Sequence, residues 1–184
     1  MAFNPSLIFH NLSFTTYSIN LCDGKEFQRE DNENIPYDFL INIYSSMDNP
    51  TLGLNLSPSS TSFFYPFNTL ILNTQFYFSD SRKSPRKSSF EISSYPSSDV
   101  SFLNAKVYKG TKFFQNYVDI LRNEAPLFLN FSGKINTNGS NYTELLKNGV
   151  FSKDSNFQIK ANGSATISTR SEKVGEGEDE QNTP

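Results

Sequence analysis

Residues 69–79 read T-L-I-L-N-T-Q-F-Y-F-S, and their alternation decides the fold class. Leu70, Leu72, Thr74, Phe76 and Phe78 fall on one side of an extended chain, and Ile71, Asn73, Gln75 and Tyr77 on the other. A period of two with one apolar and one mixed side is the pattern of a strand that meets a core and stays partly wet behind. The same period recurs toward both termini at spacings too short for intervening helices. On the N-terminal side, Ile8, His10, Leu12 and Phe14 are expected to share one face, followed by Tyr17, Ile19 and Leu21, then Phe39, Ile41 and Ile43, then Leu52, Leu54 and Leu56. The acidic stretch from Asp23 to Asn34, ending before Pro36, reads as a loop, and P-S-S-T-S at 58–62 as a turn.

On the C-terminal side a polar loop from Asp80 to Ser89 leads to strands around Phe90 and Ile92 and over 100–108. From Thr111 to Arg122 the period changes. Phe114, Tyr117, Val118 and Leu121 stand at i, i+3, i+4 and i+7, an apolar stripe of a helix that Pro126 confines. Leu127, Leu129, Phe131 and Ile135 mark a further strand, with Gly133 as a bulge or a point of close approach. Thr143 to Lys147 suits a short second helix ended near Gly149. The last strand lies near 156–168, where Phe157, Ile159, Ala161, Ala165 and Ile167 alternate around Asn162-Gly163. The expected fold is mainly β: an antiparallel, jelly-roll-like sandwich with one or two short helices, occupying residues 1–169 as a single domain.

Composition supports that class. The 184 residues fit one domain with a tail. Phe and Tyr together supply 27 residues with no Trp, so a modest apolar content is carried by rings that can fill a core. Ser and Asn together supply 47, a bias toward turns and strand faces that disfavours long helices. The single Cys22 excludes an intramolecular disulfide framework and a multi-cysteine metal site and fits a reducing compartment. Neither a signal peptide nor an apolar run long enough to span a membrane is present in these residues. Six N-x-[ST] sequons, at Asn11, Asn55, Asn130, Asn138, Asn141 and Asn162, are matches expected by chance in so Ser- and Asn-rich a chain.

Charge is segregated. Residues 1–79 hold 2 basic and 7 acidic groups, residues 80–169 hold 12 and 7, and residues 170–184 hold 2 and 5. The final segment has no apolar periodicity and reads as a disordered acidic tail, either a solubilising end or a competitor for the basic middle. The basic excess concentrates in D-S-R-K-S-P-R-K-S-S at 80–89, where Arg82, Lys83, Arg86 and Lys87 repel one another unless an anion is near. A phosphate backbone would relieve them, and Lys106, Lys109 and Lys112 extend the patch if the fold brings them alongside. Ser84 and Ser88 are candidate phosphorylation sites, at which added negative charge would weaken the hold on a polyanion.

Catalysis has few resources here. His10 reads as a half-buried strand residue rather than a base or ligand, and Cys22 as a structural thiol rather than a nucleophile. No P-loop, G-x-G-x-x-G, H-E-x-x-H or G-x-S-x-G motif occurs. The expectation is a non-enzymatic protein with no cofactor and no metal.

The order of elements around the basic loop resembles the thirty-kilodalton superfamily of plant-virus movement proteins. The apolar strand 69–79 ends in a D-x-R-like step at Asp80-Ser81-Arg82. Phe90-Glu91-Ile92 to Tyr95-Pro96, the stripe Phe114 to Leu121, and Leu127 to Ile135 take the places of that family's later strand, helix and strand. The match covers roughly residues 69–136, and the acidic N-terminal third lies outside it. The resemblance implies a viral protein that binds single-stranded nucleic acid with little sequence preference and aids its passage through plasmodesmata. The implied partners are single-stranded RNA or another polyanion, with host membrane or plasmodesmal proteins, and the implied location is host cytoplasm and cell-wall plasmodesmata. Asp80 is expected to orient Arg82 or cap the turn. Two rival readings use the same residues: a self-associating or coat-like interaction module, and a carbohydrate-binding module using Tyr faces, which the lack of Trp disfavours.

Overall fold

A computed structural model of the chain describes residues 5–21, 27–30, 33–55, 63–80, 87–94, 99–136 and 157–169. The strands are β1 (Ser6–Phe14), β2 (Thr16–Leu21), β3 (Phe27–Glu30), β4 (Glu33–Pro36), β5 (Phe39–Asp48), β6 (Thr51–Asn55), β7 (Phe63–Pro66), β8 (Thr69–Phe78), β9 (Ser88–Ser94), β10 (Val100–Lys109), β11 (Leu127–Ile135) and β12 (Phe157–Ser168). Between β10 and β11 one 3-10 turn (Thr111–Phe113) leads into the helix α1 (Phe114–Asn123). Ten strands form one sheet in the order β2-β5-β8-β10-β9-β12-β11-β1-β6-β7, and β3 and β4 form a separate hairpin.

The fold is mainly β and sandwich-like because this single sheet doubles over. The antiparallel ribbon of β5 and β8 continues into the ribbon of β6 and β7, which stands at the far end of the strand order. The corner is held by Asn49 N–H donating to Asn68 O at 2.7 Å and Phe67 N–H to Pro50 O at 3.0 Å. Asn49 turns the chain there at φ 54°, a left-handed conformation that Asn tolerates better than most residues. Across the interior, Ser45 Oγ donates to the Ser13 carbonyl at 3.1 Å, linking β5 to the end of β1 although the two strands lie six places apart in the sheet.

One pairing departs from the antiparallel expectation. β10 lies between β8 and β9, antiparallel to β9 and parallel to β8 from Val100↔Thr69 to Lys109↔Phe78. The chain leaving β8 therefore passes over the end of β10 to enter β9, and this places the basic loop at that end.

The interior is the apolar side of each alternation. Leu70, Leu72, Thr74, Phe76 and Phe78 all point inward and are buried, as the sequence predicts, and they meet Leu103, Ala105 and Val107 of β10, Ile41 and Ile43 of β5, and Leu129 and Phe131 of β11. The helix stripe closes one side of this core. Val118 and Leu121 are buried, Phe114 stacks on Phe39 with ring centroids 4.0 Å apart, and Tyr117 meets Phe76 and Phe78 edge-on or tilted. Burial pushes the Tyr117 phenol up to about 12.

Three expectations are corrected. Ile8, His10, Leu12 and Phe14 do not share a face: Leu7 and Phe9 point inward, and a bulge resets the alternation before Leu12 and Phe14, leaving Ile8 exposed. Its physical cause is Asn11 at φ 58°, whose N–H donates to Oδ1 of the buried Asn130 at 2.8 Å. The acidic stretch 23–34 is not all loop, since β3 and β4 pair from Phe27↔Pro36 to Glu30↔Glu33, with only two residues joining them. Phe63–Pro66, unassigned from the sequence, pairs with β6 as an edge strand. The Asn130 sequon sits on a buried amide that also donates to Ser168 Oγ at 2.9 Å. Gly133 is a close-approach point: it faces Gly163 across the β11–β12 ladder, and a Cβ on Gly163 would lie 1.9 Å from Ser132 O. The second helix at 143–147, the turn at 58–62, Cys22 and the acidic tail lie outside the described residues.

Candidate nucleic-acid interface

Both ends of the basic loop are tied to the strand they straddle. At the β8 end, the Asp80 carboxylate accepts the Thr111 N–H at 2.9 Å and also the Thr111 hydroxyl. The Thr111 side chain, then its N–H, hold the Asp80 pKa below the usual carboxylate value, with nearby Lys112 adding to the same direction. Asp80 thus fastens the turn after β10, in line with a capping role. At the β9 end, Ser88 Oγ accepts the Tyr108 N–H at 3.1 Å and the residue is buried. That hydroxyl is an internal tie, which removes Ser88 from the surface positions open to a kinase. Arg82, Lys83, Ser84 and Arg86 lie between these anchors and outside the described residues.

The register then explains which cations meet. Four adjacent strands, β10-β9-β12-β11, bring together Tyr108 and Lys109, Lys87 and Ser88, Asn162 to Ser164, and Lys134. At about 4.8 Å per strand this spans roughly 14 Å. These residues line a cleft of about 570 Å³ in which the described lining includes Lys87, Lys109 and Lys134 and no Asp or Glu. Lys109 is half-buried, and desolvation lowers its pKa, so its ammonium lacks the hydration an exposed lysine keeps.

A second cleft, of about 420 Å³, shares Asn136 and Asn162 with the first and continues onto the outward side of the sheet. Asn73 and Gln75 of β8, Asn104 and Lys106 of β10, Ser89 and Glu91 of β9, and Lys160 of β12 line it. Gln75 Nε2 donates to Asn42 Oδ1 at 3.3 Å and Tyr77 Oη donates to Gln75 Oε1 at 2.8 Å, so amides on neighbouring strands brace one another. Lys160 lies 3.9 Å from Glu91, which also accepts from Gln158. At the edge nearest the lysine cleft Tyr108 stacks on Tyr77 at 5.4 Å between centroids.

Of the residues singled out from the sequence, the fold brings Lys87 and Lys109 together in one cleft and Lys106 into the adjoining one. Lys112 lines neither described cleft; its Nζ sits 5.0 Å from the centre of the Phe113 ring. Lys134 and Lys160 were missed because each is a lone lysine in an apolar alternation, and only the long-range order β9-β12-β11 carries them to the site. His10 is half-buried in β1. Among the described residues no group of three His, Cys, Asp or Glu is placed to hold a metal ion, and no helix is long and apolar enough to cross a membrane. Comparison with protein-family models, with curated proteins and with solved structures returned no match.

Proposed function

We propose that the chain is a non-enzymatic protein that binds single-stranded nucleic acid, preferably RNA, along the joined clefts, and that it serves cell-to-cell movement of a viral genome as the resemblance around residues 69–136 suggests. The observation that supports this reading most is the convergence of Lys87, Lys109 and Lys134 in a cleft whose described lining has no carboxylate. Such a site gains from a phosphate backbone by counterion release and by neutralising lysines that repel each other. The amide-rich side offers donors and acceptors to unpaired bases without demanding one base, and Tyr108 adds an aromatic surface at the junction. The basic loop 81–86 is tethered at both ends beside this cleft and brings Arg82, Lys83 and Arg86 to the same side of the molecule.

Titration of a single-stranded RNA of mixed sequence across salt tests the reading. Replacing Lys87, Lys109 and Lys134 by Ala together is expected to weaken binding and to flatten the slope of log K against log salt by about 2, near 0.7 per lost phosphate contact. An unchanged slope rejects the cleft as the contact. Charge reversal at Arg82, Lys83 and Arg86 should add to the loss. A fluorescent fusion in leaf cells that fails to collect at cell-wall puncta rejects the movement role while leaving RNA binding intact.

A second reading, self-association, draws on the sheet edge. β2 is an edge strand without a charged residue or Pro, and Leu21 at its end is 71% exposed, whereas edge strands are ordinarily blunted by such residues. A defined oligomer in light scattering that Ser18→Lys disperses would favour it.

A further inference from the structure

The lysine cleft has a candidate occupant within its own chain. β12 runs along the cleft at Asn162 to Ser164 and leaves the sheet after Ser168, beside Phe128. From Ser164 to residue 170 is about 20 Å of extended chain at roughly 3.3 Å per residue. The acidic block Glu176, Glu178, Asp179 and Glu180 begins about 20 Å further and ends about 33 Å further. The block is thus placed at the distance needed to double back along β12 and reach the cleft, and the glycines at 175 and 177 in front of it leave the backbone free to reverse. Its charge is the complement of the site: four carboxylates in five residues face three lysines whose described surroundings hold no Asp or Glu.

We infer that the acidic segment 176–180 occupies the cleft of Lys87, Lys109 and Lys134 in its own chain when no nucleic acid is bound, and that a polyanion must displace it. The inference rests on the proposed reading of the cleft as a polyanion site and adds its regulation. Tethering gives the segment a high effective concentration at the cleft, so weak ion pairs suffice to hold it, and a long polyanion with more phosphates outcompetes it. The device would set a threshold: short or sparse anions are refused while an extended RNA is accepted, and high salt erases the distinction.

The test uses the full chain in two forms, the natural sequence and E176Q/E178Q/D179N/E180Q, which keeps length and composition of the tail while removing its charge. Backbone amide NMR spectra of the two, without RNA and at about 0.1 M salt, are expected to differ at Lys87, Lys109, Lys134 and Asn162 to Ser164, and the difference is expected to vanish near 1 M salt. A synthetic peptide of residues 170–184 added to the variant should move the same signals back. Differences absent, or scattered away from the cleft, overturn the inference, as do differences that grow with protein concentration, which would place the tail on a neighbouring copy. The variant should also bind a single-stranded RNA of twenty nucleotides about five- to tenfold more tightly at about 0.1 M salt. Cleft-confined shifts with no RNA binding by either form would leave the tail contact standing and reject the nucleic-acid reading. Equal RNA binding by both forms with no shifts would do the reverse.

Discussion

The two sides of β8 and β10 share one backbone and differ in almost everything else. The inward residues Leu70, Leu72, Phe76 and Phe78 pack against Leu103, Ala105 and Val107 with essentially no exposure, while the outward Asn73, Gln75, Asn104 and Lys106 form a braced polar surface open to ligand. Alternation thus writes stability and recognition on successive residues, so the two properties can be changed independently by moving one position along the chain. Tyr77 is the exception, outward yet 1% exposed, because Tyr37 and Tyr108 cover its ring.

The contrast breaks most completely where neither side has a side chain. At Gly163 a Cβ would overlap Ser132 O and the Gly133 backbone, so Gly163→Ala has no direction in which to relax and must part β11 from β12. The expected cost exceeds about 4 kcal/mol, at the extreme of single substitutions, and appears as loss of a cooperative thermal transition in circular dichroism. Next in size is the pair Phe76→Ala and Gln75→Ala, adjacent in sequence and opposite in direction. Urea unfolding should show about 3–5 kcal/mol lost for the first and within about 0.5 kcal/mol for the second. Equal losses would mean that the outward surface carries packing after all.

The comparison is sharpened by its one polar intruder. Thr74 lies inward at 0% exposure, and its hydroxyl has no hydrogen-bond partner. Thr74→Val keeps the branched shape and removes the stranded oxygen, so a gain of about 1 kcal/mol is expected in the same unfolding experiment. The smallest effect is visible only in alkali. Burial raises the Tyr117 phenol to about 12 from an ordinary 10.0, so its neutral form is favoured in the folded chain. Its contribution is complete below pH 10 and is lost as pH rises through 12, and Tyr117→Phe should unfold later than the natural chain in an alkaline titration over that window.

How much of this was legible follows from the range of the signal. The alternation of 69–79 and the stripe from Phe114 to Leu121 are local, and both elements stand as read, since a period declares a face whatever the partner. The first strand was misread because one residue, Asn11, changes the count: a bulge leaves no mark in an alternation except a change of phase, and His10 and Asn11 offered none. The parallel pairing of β8 with β10 and the corner at Asn49-Pro50 and Phe67-Asn68 are decisions between distant segments, which no window contains. The site divides the same way. Lys87 and Asp80 belong to a conspicuous loop, Lys106 and Lys109 to the strand that follows, whereas Lys134 and Lys160 enter through a strand order that residue type alone does not encode.

The insertion of β10 between β8 and β9 bears on synthesis. Strands that zip together in the order they are made can shelter one another as the chain emerges from the ribosome, but here β8 and β9 appear first and must wait for a middle member not yet translated. Until residue 109 is out, the aromatic side of β8 has no parallel neighbour, and a nascent fragment ending earlier offers sticky, half-built edges rather than a smaller stable domain. Production of this protein should therefore lean on holding chaperones, and shortened constructs should be cut after β12 and never within the first hundred residues.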